Sequence, residues 1–140
     1  MKTYAGNLYL ELPGTWDDDS TFLYRNPAAD LEIRVERFPV GATAQPDSLL
    51  DKIEERLKLL GPLKQSTRGK ADVVGRERRT LSVTCKREED KETSVMEVLV
   101  FKTSDTTAVS ITALASIKQQ SALASAWQQV LAKTRIVEVQ

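Results

Sequence analysis

The stretch Thr93–Lys102, "TSVMEVLVFK", constrains the fold more than any other part of the chain. Extended, it sends Val95, Leu99 and Phe101 to one side and Met96, Val98 and Val100 to the other. A strand that is apolar on both sides must be covered on both sides, so it belongs in the middle of a sheet. The flanking segments supply partners. "RERRTLSVTCKRE" alternates at Leu81, Val83 and Cys85, and "TAVSITALA" follows a turn at 103–106. Between them "KREEDKE" (86–92) is charged enough to be a solvated hairpin tip.

The rest of the chain reads as further strands and two helices. Residues 3–12 alternate at Leu8, Leu10 and Leu12 and predict one half-buried strand. "STFLYR" (20–25) and "DLEIRVERF" (30–38), joined by Asn26-Pro27-Ala28-Ala29, predict a hairpin. In its second arm Leu31, Ile33 and Val35 face away from Glu32, Arg34 and Glu36. A helix capped by Asp47 or Ser48 carries Leu49, Leu50, Ile53, Leu57 and Leu60 as one stripe, and Gly61-Pro62 stops it. A weaker strand (63–74) turns at Gly75. The segment 119–134 predicts a second helix with Leu123, Ala126, Trp127, Val130 and Leu131 on one face, before a short "RIVEV" tail.

The order βββ-α-ββββ-α indicates a single α+β domain, 1–140: a curved antiparallel sheet of about six to seven strands carrying two helices. Two helices cover one face of such a sheet but hardly both. The expectation is that a dimer partner, a bound apolar segment or the sheet's own curvature covers part of the second face.

Composition narrows the chemistry. Lys+Arg and Asp+Glu are both 20, giving a net charge of zero and no electrostatic case for nucleic acid or an anionic membrane. No histidine occurs, which removes Ser-His-Asp and Cys-His catalysis and every His-containing zinc site. Ser-x-x-Lys and the glycine-rich phosphate loops are absent too. The expectation is a protein that is not an enzyme and needs no cofactor. With no apolar run long enough to span a bilayer, no secretory leader and one cysteine, a soluble cytoplasmic location is expected.

Four features could be sites. Asp17-Asp18-Asp19 could hold a metal, but calcium loops space their oxygens at alternating positions, and a solvated corner above Trp16 fits better. Cys85, mid-strand beside Leu81 and Val83, reads as a small core residue. Arg76, Arg78 and Arg79, mixed with Glu77, read as an exposed strand edge rather than a phosphate site. Trp127, on its helical stripe, reads as core.

With these segments placed, "LYLELPGTWDDDST" resembles the opening of the DUF1795 group, domains of the DcrB-like, Mog1/PsbP-like fold. The similarity continues through "LEIRVERF", the helix "SLLDKIEERLKLL", the turn at Gly75 and "AWQQVL". Within the group the chain is most similar to the Eag chaperones of type VI secretion. The resemblance implies a homodimer that shields the apolar transmembrane-type segments of a PAAR- or Rhs-type effector before export. It implies neither nucleic-acid binding nor direct insertion into a membrane. The groove positions it implies are Thr21, Leu23 and Ile33, with Arg56 and Glu97 where the family has glutamine. Those two could bond the client or pair with each other. A Mog1- or PsbP-like regulatory or assembly subunit is the alternative.

Overall fold

The computed structural model describes residues 2–5, 8–11, 13, 21–26, 28 and 30–135. Two short strands, β1 (Lys2–Ala5) and β2 (Leu8–Glu11), pair antiparallel with Tyr4 opposite Tyr9. The segment read as one strand over 3–12 is therefore a hairpin. Its signal in the sequence is Gly6-Asn7, a dipeptide typical of two-residue hairpin loops, which the alternation of leucines obscured.

The main sheet is open, curved and antiparallel, with six strands in the order β3-β4-β8-β7-β6-β5. Its members are β3 (Thr21–Asn26), β4 (Leu31–Pro39), β5 (Leu63–Val73), β6 (Arg76–Lys86), β7 (Thr93–Lys102) and β8 (Thr107–Ser116). The α+β class and the expected hairpins stand. β5 and β6 turn through Val74 and Gly75, both at positive φ (53° and 73°). Glycine adopts that backbone freely, whereas a β-branched valine does so at a steric cost.

Helix α1 (Pro46–Leu57) follows β4, and α2 (Gln120–Lys133) follows β8 through a 3-10 turn at Ile117–Gln119. The N-cap of α1 is Gln45, not Asp47 or Ser48. Pro46 begins the helix because its fixed φ suits the first turn and it has no N–H to leave unbonded. Asp47 instead pairs with Arg79 at 3.6 Å. The helix ends at Leu57, so Leu60 lies beyond it in the turn leading to Gly61. A Cβ on Gly61 would collide with the Lys86 carbonyl, which fixes glycine there.

The two helices lie on opposite faces, and this corrects the expectation that both cover one. α1 sets Leu49 and Leu50 against Leu81, Val83, Met96 and Val98. α2 sets Leu123 and Trp127 against Val95, Leu99, Ile111 and Ala113 on the other side. β7 thus obtains cover on both faces within one chain. Each fully buried Leu or Val contributes about 1.5–3 kcal/mol relative to exposure, so this central sandwich anchors the fold.

Cys85 is buried, as expected, and its thiol donates to the Gly61 carbonyl at 3.6 Å. Trp127 is core. The arginine cluster is not at a sheet edge: β6 pairs with β5, and the edge is β5. Arg78 lies 4.8 Å over the Phe101 ring and donates to the Val73 carbonyl, while Arg79 holds Asp47. The corner at Asp17-Asp18-Asp19 and the "RIVEV" segment after Arg135 lie outside the described residues.

Candidate functional site

Paired residues on antiparallel strands share a face, so the register assigns every side chain to a side. On the α1 side, the helix packs chiefly over β6 and β7. The sheet surface beyond it forms a groove of about 390 Å³ between α1 and β4. Its floor is Ser110, Thr112 and Leu114 of β8. Glu32, Arg34 and Glu36, the polar side of β4, close one flank. Ile53, Arg56 and Leu57 of α1 close the other.

Why this half is open follows from β4. Its alternation gives Leu31, Ile33 and Val35 to the core beside α2 and leaves charges on the α1 side. Charged side chains tolerate solvent, so no helix needs to cover them. The groove mixes signs: Glu32 sits 3.8 Å from Arg25, and Arg34 and Arg56 form no ion pair among the described residues. Leu23 and Leu60, 45% and 47% exposed, add apolar surface beside it. The groove thus combines two guanidinium groups, two hydroxyls and apolar side chains.

The five residues implied by the family resemblance divide between the faces. Thr21 and Leu23 pair with Glu36 and Arg34, which places them on the groove side, and Arg56 lines the groove itself. Ile33 pairs with Ala113, and Ala113 with Glu97, so these form a row on the opposite, α2 side. Ile33 packs against the core there. The sheet separates Arg56 from Glu97, and the Arg–Glu pair considered from the sequence does not form. The sequence reading missed Ser110 and Thr112. Their signal was the polar interruption between Ala108 and Leu114 on one face of β8.

Glu97 has its own setting. It is half-buried beneath α2 and accepts a hydrogen bond from the Ser82 hydroxyl at 2.6 Å. Burial pushes its carboxyl above the ordinary range, and the Ser82 bond opposes that only in part. Burial also pushes the Cys85 thiol up, against a weaker pull from Arg87, so this cysteine is not an activated nucleophile. Among the described residues no group of acidic or cysteine side chains is placed to hold a metal. No described helix is long and apolar enough to cross a membrane.

No protein-family model and no curated protein matches the chain. Solved structures do. The Pseudomonas aeruginosa protein PA94, of unknown function, superposes with a TM-score of 0.76 at 17% identity, covering 99% of this chain and 98% of that one. LpqN of Mycobacterium tuberculosis, involved in cell envelope biogenesis, gives 0.60 at 16% identity over 83% of this chain and 70% of its own. At such identities the likeness is one of fold.

Proposed function

We propose that this chain is a chaperone or adaptor that holds an apolar helical segment of another protein in the groove beside α1. The observation that carries the reading is the half-covered α1 face, where a protein of this size leaves a formed, mixed-polarity groove open. In the finer form of the proposal, the client is the N-terminal transmembrane-type segment of a PAAR- or Rhs-type effector of type VI secretion, held in the cytoplasm before export. Such a segment, about 20 apolar residues long, aggregates in water unless shielded. Burying it returns about 25 cal/mol for each Å² of apolar surface removed from solvent.

One groove of about 390 Å³ takes a few side chains, not a whole helix. The proposal therefore includes a homodimer, in which two grooves share the client. Arg34 and Arg56 would bond polar groups of the segment, while Leu23 and Leu60 would meet its apolar side.

Co-expression with the apolar N-terminal segment of such an effector tests this reading. A soluble complex of defined mass is expected, and Leu23→Asp with Leu60→Asp should abolish it while the free protein keeps its circular dichroism spectrum. If wild-type protein elutes alone and the segment aggregates, the holding role is wrong. A second reading, a regulatory or assembly subunit, draws on the full-length likeness to PA94, which is described as a candidate regulator. That reading gains if the protein captures a folded partner but no apolar segment.

A further inference from the structure

On the opposite side of the sheet, α2 leaves a second depression above β5 and β6, about 540 Å³ in volume. Glu97 and the hydroxyls of Thr80 and Ser82 lie at its base, and Trp127 and Gln128 of α2 form its wall. We propose that this pocket binds a cationic group, a primary ammonium or guanidinium, with Glu97 as its counter-ion.

The argument begins with an imbalance. Glu97 is half-buried, and among the described residues its one hydrogen bond comes from a neutral hydroxyl. A carboxylate withdrawn from water ordinarily has a cation beside it, because desolvating an unpaired charge is costly. The cations close at hand are committed elsewhere. Lys70 borders the pocket but faces the α1 side, 3.4 Å from Glu77, and Arg78, on the pocket side of β6, stacks on Phe101 and bonds the Val73 carbonyl. Asp72 borders the depression along the β5 backbone, but its register opposite Glu77 sends its carboxylate to the α1 side. The residues that α2 contributes to the lining are uncharged, and Ala113, opposite Glu97 on β8, is apolar.

An entering ammonium would meet one carboxylate from below and the Thr80 and Gln128 acceptors at the sides. Trp127, largely buried, forms part of the apolar wall beside it. The volume suits a small amine or one long side chain, which sets the class of ligand. Binding would favour the ionised form of Glu97, so affinity should fall as the pH drops through its raised pKa. This site is separate from the groove beside α1 and does not depend on what that groove holds.

Trp127 supplies the readout. In a Trp16→Phe background it is the sole tryptophan, and its fluorescence is titrated with butylammonium chloride and, separately, with an acetylated lysyl peptide amide. Saturation by butylammonium identifies a site for free small amines. Saturation by the peptide alone identifies a site for a partner's lysine. In either case Glu97→Gln should weaken binding roughly 10-fold, the worth of a charge-assisted bond. Ser82→Ala keeps the carboxylate and should move the pH midpoint of binding upward. The proposal is overturned if neither probe saturates the wild type, if Glu97→Gln binds as well, or if the Ser82→Ala midpoint does not move.

Discussion

β7 and β4 lie two places apart in one sheet and are built on opposite terms. β7 is apolar on both sides, and α1 and α2 bury both. β4 is apolar toward α2 and charged toward α1, and on its charged side the sheet stays open. The difference shows that where a two-sided sheet needs no second cover, the strand's own polarity says so. The sheet is left open where side chains can bear water, not where the protein runs out of helices.

The largest effects should come from breaking the covered strand. Leu99→Ala, fully buried on β7, should cost about 2–5 kcal/mol in chemical denaturation. If the cost is below 1 kcal/mol by the same measurement, roughly a surface effect, β7 is not the centre of the core. Gly61→Ala forces a Cβ into the Lys86 carbonyl, and overpacking of this kind costs about 1–3 kcal/mol. It should shift the thermal midpoint down without touching the pocket beneath α2.

Comparison of the two faces at the open end sharpens the contrast further. Ile33→Asp, on the side of β4 that faces the core, should destabilise strongly, whereas Leu23→Asp on exposed β3 should stay within about 0.5 kcal/mol of wild type. Equal losses in both would mean that the groove side is also core.

The smallest effect is a pH dependence at Glu97. Its folded pKa is raised above the ordinary 4.5, so proton binding favours the folded state. That contribution is complete below the unfolded value and is lost as the pH rises through the folded one. Glu97→Gln should therefore stabilise the protein at neutral pH, with the advantage shrinking as the pH falls toward 4.5. Paired melts across that window check the sign.

Much of this architecture was legible because alternation and helical spacing report local burial. Val95 to Phe101 announced a central strand, and Leu49, Leu50 and Ile53 announced the α1 stripe. What the sequence could not report is which face each helix takes. Periodicity fixes which side of a segment is apolar, but handedness and connection determine where that side goes. The same gap explains the divided site. Ile33 and Leu23 lie on neighbouring strands of one hairpin, yet the register pairs Leu23 with Arg34 and sends them to opposite sides. A shift of one residue on a strand reverses the face, and only the pairing shows it. The hairpin of β1 and β2 was hidden for a different reason: leucine alternation dominated a two-residue turn signal.

The strand order carries a consequence for how the chain reaches this state. β5, β6, β7 and β8 are neighbours in sequence and in space, so they can zip together through short hairpins. β4 must find β8 across α1 and three intervening strands, and closing so long a loop slows the search. The β3–β4 hairpin should therefore dock last. Until it does, β8 is an edge strand with unpaired amides, and the newly made chain passes through a form open to pairing with its neighbours. Pulsed hydrogen exchange during refolding would see the β4 amides protected after those of β6 and β7.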